Sequence, residues 1–174
     1  EVVVQISLSE LHPFPDHPFQ VREDASMQET AESVKEYGVL VPALARPRED
    51  GGYELIAGHR RKHACELAGL VTMPVIVRDI DRDAATIIMV DSNLQRENIL
   101  PSERAKAYKM KMEAIKRQGA RTDLTSSKIS AKFRSDDEVG QDAGVSGDTI
   151  RNYIALTQLV PELQQMVDEK KIAL

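Results

Sequence analysis

Gly58 is followed at once by His59, Arg60, Arg61, Lys62 and His63, side chains that are cationic or can become so. The stretch 53–57 ahead of Gly58 reads as a strand, and 59–68 reads as a helix closed by Gly69. Basic residues oppose the helix dipole at an N-terminus, so this spelling is a poor choice for stability alone. It makes sense where an anion sits at the helix start, with free amides, dipole and arginine forks converging on phosphates. The loop is not a Walker A motif, because GxxxxGK[ST] is absent, and it is not the dinucleotide GxGxxG. A helix whose arginines pair with nearby carboxylates has the same spelling.

A second constellation spans 138–154. Val139 and Ala143 can pack inward from one helix, Gly144 permits a left-handed turn, and Val145 fills the gap. Ser146 can cap a second helix anchored by Ile150 and Ile154 at i, i+4. Gly147, Asp148, Thr149, Arg151 and Asn152 are left near its exposed N-terminal end. That end faces base edges in a DNA-reading helix-turn-helix. An ordinary αα-hairpin fits the same pattern. In the polar cluster 91–98, Ser92, Gln95 and Arg96 can share one helix face, with Asn93 beside them. Gln20 and Arg22 lie on a proline-rich loop.

Several elements must hold these residues in place. Residues 2–6 read as a strand, and 11–22, with Pro13, Pro15 and Pro18, as an extended loop. Ser26 and Glu29 form a capping-box pattern ahead of a helix with Met27, Ala31 and Val34 on one face and Gly38 past its end. Residues 39–45 and 74–78 read as strands, and Asp81 can cap another helix. This alternation predicts a compact α/β domain over 1–97. Beyond it, Ala105, Tyr108, Met112 and Ile115 recur at helical spacing, while Lys106, Lys109 and Lys116 fall elsewhere. The basic stretch 119–135 reads as a loop, or a loop with a short helix near 129–133, followed by a helix-turn-helix at 137–156 and a last helix at 162–169. The expected fold class is α+β, a small α/β domain over 1–97 and an all-helical domain over 98–174.

The net charge of −5 over 174 residues disfavours nucleic-acid binding only if it is spread evenly. It is not. Residues 1–97 hold ten basic against seventeen acidic side chains, a balance of −7, and the rest sums to +2. Within 98–135, ten basic residues face three acidic ones, giving +7 and a polyanion-facing segment. The lone Cys65 excludes an intramolecular disulfide and a cysteine-cluster zinc site. No apolar run approaches the ~20 residues of a membrane span, so a cytoplasmic protein without a membrane partner is expected.

Taken together, these pieces resemble the ParB family of plasmid and chromosome partition proteins, in order and over nearly the whole chain. Phe19-Gln20-Val21-Arg22 resembles the family's first box, and 38–42 the segment lining its nucleobase pocket. Residues 58–64 resemble the GERRxRA phosphate motif, and 92–98 the ENxQRE motif. The resemblance implies a ParB/sulfiredoxin-like N-terminal domain that binds CTP with Mg²⁺, and a domain that reads a palindromic, centromere-like site on double-stranded DNA. It implies a homodimeric clamp that CTP closes, a ParA-type ATPase partner, and a dimerisation domain beyond Leu174. Nucleotide contacts are expected from Gln20, Arg22, Gly38, Val39, Gly58, His59, Arg60, Arg61, His63, Ser92, Asn93 and Arg96. Asn93 is the metal candidate, and Gln20 would orient a water in hydrolysis. DNA contacts are expected from Lys106, Lys109, Lys128, Lys132, Ser146, Gly147, Thr149, Arg151 and Asn152.

The departures from the family pattern carry information. His59 stands where Glu is usual, His63 where Arg is frequent, and Ser92 where a Glu precedes the Asn. A hard cation favours carboxylate oxygen, so the change at Ser92 bears on hydrolysis more than on binding. Gly147 replaces a frequent Arg, a side chain that commonly reads guanine, so a different DNA site is expected. Two other readings of the same resemblance are a transcription regulator that binds DNA without nucleotide turnover, and a nuclease or ATP-using enzyme.

Overall fold

The computed structural model describes residues 2–96, 98–123 and 135–173; Lys128 and Lys132 lie outside them. The chain divides into two compact units, Glu1–Asp81 and Arg82–Leu174.

The first unit is a five-stranded mixed sheet with two α-helices and a short 3-10 turn at Leu8–Glu10. Its strands are Val3–Ser7 (β1), Leu11–Pro13 (β2), Ala43–Pro47 (β3), Tyr53–Ala57 (β4) and Thr72–Val77 (β5), in the order β1-β5-β3-β4-β2. Its helices are Ala25–Tyr37 (α1) and His59–Leu67 (α2). Ala43 and Ala45 of β3, Leu55 of β4, and Met73 and Val75 of β5 are buried with Met27 and Val34 of α1 and Ala64 and Cys65 of α2. With so few aromatics, small and aliphatic side chains build this core and bring the helices close to the sheet.

Three local details differ from expectation. The proline-rich stretch opens with β2, an edge strand parallel to β4, with Pro13 at its end, a place proline tolerates. The strand expected over 39–45 starts only at Ala43, leaving 38–42 as irregular backbone. Helix α1 is capped by Asp24, which accepts from Met27 N at 2.9 Å, so the Ser26 side chain is released for another contact.

The second unit holds Arg82–Leu94 (α3), Pro101–Asp123 (α4), Ser135–Ala143 (α5), Gly147–Leu156 (α6) and Pro161–Asp168 (α7). Tyr108, Val139 and Ile150 form one buried cluster, and Ala105, Leu156 and Val167 another. Asp168 of α7 accepts from Ser102 N at 2.9 Å, satisfying a free donor in the first turn of α4. The packing places α3 with the helices that follow it: Arg117 Nε meets Asp83 Oδ1 at 2.7 Å. The compact units therefore part after Asp81. No described helix is long and apolar enough to cross a membrane.

Candidate functional site

In the first unit, β4 runs through Gly58 directly into α2. Gly58 has φ +110°, and a Cβ there would lie 2.8 Å from the Cβ of Ala43. Glycine thus lets the start of α2 sit against β3. The first N–H groups of α2 have no intrahelical acceptor, as at any helix start.

The basic side chains divide into two sets. Lys62 pairs with Glu66 at 2.8 Å, and His63 with Glu23 at 3.0 Å and Glu66 at 3.4 Å. These contacts match the bland reading of a helix whose cations meet carboxylates. Arg60 is held more loosely, by Ser26 Oγ at 3.2 Å and Asp24 Oδ1 at 3.7 Å. Arg61 Nη1 donates to the carbonyls of Val41 at 2.5 Å and Pro42 at 2.6 Å. Among the described residues no carboxylate pairs with Arg61, and burial pushes its guanidinium pKa down. A half-desolvated cation of this kind gains most from an incoming anion.

Arg61 also lines a pocket of about 380 Å³, a volume within the ordinary range for small-molecule sites. Gly38, Val39, Leu40 and Val41 form one wall, and Glu29, Thr30, Ser33 and Val34 of α1 the other. The irregular backbone of 38–42 thus serves two purposes: it shapes the pocket and supplies the carbonyls that aim Arg61. Gln20 and Arg22 are exposed on the loop before α1.

His59 is packed rather than displayed. Its ring lies 3.9 Å from that of His17, centroid to centroid, and its Nε2 is buried with no hydrogen-bond partner among the described residues. Burial, helped by His17 and Lys62, pushes its pKa down to about 3. The unfolded chain binds this proton near pH 6.5, so below that pH the unfolded state holds more protons than the folded one. The stability contributed here is therefore full above pH 6.5 and lost as the pH falls towards the folded value. We expect acidification to about pH 5 to cost about 2 kcal/mol through this group. Urea titrations of the chain and of His59→Asn, followed by circular dichroism, check this. An acid slope that survives in the variant assigns the loss to other groups.

In the second unit, Asn93 Nδ2 donates to Met89 O at 2.8 Å, Ser92 Oγ to the same carbonyl at 3.0 Å, and Arg96 Nη1 faces Asn93 Oδ1 at 3.5 Å. These residues form a polar end to α3. Helices α5 and α6 are joined by a tight turn: Gly144 has φ +69°, and Val145 N donates to Gly140 O at 2.9 Å. Ser146 Oγ accepts from Thr149 N at 3.1 Å and caps α6. Ile150 is buried against Tyr108 and Val139, which leaves Asn152 exposed. Arg151 is also exposed, and its guanidinium bridges Asp136 and Asp148. Gly147 is buried, and a side chain there would run into Asp137. Lys106 and Lys109 are exposed on α4.

The sequence reading did not single out Lys111 or Gly140. Lys111 lies within the positive segment 98–135, yet its side chain is 1% exposed. A glycine inside a helix costs roughly 1 kcal/mol against alanine, so Gly140 was a signal of close packing that could have been read.

A mixed sheet with a basic strand–glycine–helix junction, followed by a helical unit that contains a helix-turn-helix, defines a two-part class of helix-turn-helix proteins. Within that class the chain belongs to the ParB N-terminal domain family, whose profile matches residues 1–94. It is 34% identical over 171 residues to the chromosome-partitioning protein Spo0J of Thermus thermophilus, covering 98% of this chain and 56% of the relative. It is similar to the crystal structure of C-terminally truncated ParB from Caulobacter crescentus complexed to the centromeric parS site. That match has a TM-score of 0.63 and 27% identity, over 98% of this chain and 80% of that one. The same Caulobacter protein complexed with CTP-γ-S matches with a TM-score of 0.51 and 28% identity, over 98% of this chain and 87% of that one. The chain spans about half the length of the curated relatives it matches.

Proposed function

We propose that this chain is the nucleotide-responsive, DNA-binding part of a partition protein, a CTP-dependent clamp on double-stranded DNA carrying a palindromic, centromere-like site. The observation that carries the reading is Arg61, fixed by two carbonyls and lacking a carboxylate partner among the described residues, beside a pocket at the start of α2. Arg60, Arg61 and the amides after Gly58 receive the triphosphate, with Arg22 assisting. Gly38 and Val39 flank the nucleoside. The motif assigns Ser92, Asn93 and Arg96 to the same ligand, and gives Gln20 the orienting of a water. His59 takes part as packing beneath the helix start, and His63 as a half-buried, carboxylate-paired neighbour. CTP-γ-S and parS in the two Caulobacter complexes support both ligands.

The residues present do not make a cage for Mg²⁺. Asn93 Oδ1, the donor the motif offers, faces a guanidinium, and no group of three His, Cys, Asp or Glu among the described residues is placed to hold a metal. A magnesium ion held mainly by triphosphate oxygens and water needs no such cage. On the DNA side, Thr149, Arg151 and Asn152 of α6 read bases, with Ser146 and Gly147 at the helix start. Lys106 and Lys109, with Lys128 and Lys132, contact phosphates. Phosphate neutralisation of this kind makes the affinity fall steeply with salt. The reading includes a homodimer, a ParA-type ATPase partner, and a cytoplasmic place on a nucleoid or plasmid.

Calorimetric titration with each nucleoside triphosphate and Mg²⁺ tests the proposal. CTP is expected to bind in preference to the others. Equal or absent binding of all four overturns the CTP assignment. Binding without phosphate release in a parallel assay favours a regulator that does not turn the nucleotide over.

A further inference from the structure

Lys111 sits on α4 with a side chain 1% exposed, a depth at which an unpaired ammonium is strongly disfavoured. Its Nζ donates to Asp91 Oδ1 on α3 at 2.7 Å and to Asp142 Oδ2 on α5 at 2.8 Å. Burial lowers the ammonium's pKa, and the hydrogen bonds to Asp142 and Asp91 more than restore it, so the net shift is upward and the group stays charged. Both carboxylates keep about half their exposure, 47% and 55%, so only the lysine has left water. A buried ion pair of this sort is weak evidence of added stability, since a well-packed apolar side chain often does as well. Its distinctive effect is geometric, because three helices must meet at one point to satisfy it.

The location of that point matters. Asp91 immediately precedes Ser92 and Asn93 in the polar end of α3, and Asp142 lies two residues before Gly144 in the turn of the helix-turn-helix. We propose that Lys111 is a positioning residue for DNA reading. Clamped between Asp91 and Asp142, it fixes α5 against the end of α3 that carries Ser92 and Asn93, so a shift of that end carries the helix-turn-helix with it. The functional meaning rests on α5–α6 being the DNA-reading pair, as proposed above; the packing claim does not.

Hydrogen exchange and DNA binding of the chain, Lys111→Met, Lys111→Arg and Asp142→Asn test this together. Methionine fills the channel without the charge, and arginine keeps both carboxylate contacts within reach. In Lys111→Met and Asp142→Asn, amides 139–143 are expected to exchange roughly tenfold faster, while those around Tyr108 keep their protection. Affinity for a duplex selected from a randomised library is expected to fall about tenfold, with Lys111→Arg recovering part of both losses. A space-filling role predicts the reverse order, with methionine close to wild type and arginine worse. Wild-type exchange across α5 in Lys111→Met overturns the proposal. Should that variant unfold, Asp142→Asn decides, because the ammonium keeps Asp91. A wild-type chain that selects no duplex overturns the DNA reading, and the exchange result still settles the positioning role.

Discussion

Replacing Gly58 with alanine is expected to abolish nucleotide binding and to lower the melting temperature of the first unit by roughly 10 °C or more. Two effects add. The backbone there has φ +110°, a conformation that costs an L-residue about 1–2 kcal/mol. The new Cβ would lie 2.8 Å from Ala43 Cβ and 3.3 Å from Ala43 Cα, in the middle of the sheet core. Overpacking of that kind typically costs about 1–3 kcal/mol. Relief requires α2 to move away from β3. Arg61 Nη2 lies 3.4 Å from the new atom, so the same movement displaces the guanidinium from the carbonyls of Val41 and Pro42. Gly51→Ala is the control: φ is +89°, but no atom lies within 4 Å of its Cβ position. That variant should show the strain cost alone and bind nucleotide as the wild type does. Calorimetry and thermal melts of both variants check the comparison. CTP binding by Gly58→Ala at wild-type affinity would show that the junction does not position the site.

What was legible in the chain follows from the range of the interactions involved. The Gly58 junction was readable because strand, glycine and basic helix start are neighbours in sequence. The helix-turn-helix was readable for the same reason, through Gly144, Ser146 and the spacing of Ile150 and Ile154. The partners of the basic residues were not. His63 meets Glu23 forty residues away, and Arg61 is held by carbonyls twenty and nineteen residues back. Only the folded sheet brings α1 and the 38–42 backbone to α2. Lys111 was misleading for a different reason: charge counting treats every lysine as surface, whereas this one is neutralised by Asp91 and Asp142. The positive balance of 98–135 therefore overstates the charge offered to a polyanion by one buried group. Arg151 is likewise engaged with Asp136 and Asp148, so on the proposed reading a DNA ligand would have to compete for it with two carboxylates. The misplaced cap shows how narrow the local margin is: Asp24 and Ser26 both suit a helix start, and Ser26 Oγ is instead drawn to Arg60.

Gly140→Ala gives the sharpest test of the second unit, because local and tertiary physics predict opposite signs. Alanine in a helix interior is favoured over glycine by about 1 kcal/mol, so α5 considered alone should gain stability. In the fold, the new Cβ would lie 2.6 Å from Val145 O, 3.1 Å from Ser146 C and 3.2 Å from Gly147 N. All three are backbone atoms, which cannot swing aside as a side chain can. The turn that follows is pinned by Val145 N donating to Gly140 O at 2.9 Å, so the contact is relieved only by separating α5 from the start of α6. The overpacking term, about 1–3 kcal/mol, should outweigh the propensity gain. The larger consequence is geometric. Displacing the first turn of α6 moves Ser146, Thr149 and Arg151 off the positions from which a recognition helix reaches base edges. DNA affinity is therefore expected to fall at least tenfold, while CTP binding is unchanged. Gly144→Ala separates strain from contact, since φ is +69° there and nothing lies within 4 Å of its Cβ position. It should lose about 1–2 kcal/mol of stability and keep most of its DNA binding. Titration of both variants against a selected duplex, with melts alongside, distinguishes the outcomes. A Gly140→Ala chain that melts higher and binds DNA normally would mean the two helices meet less closely than this turn requires.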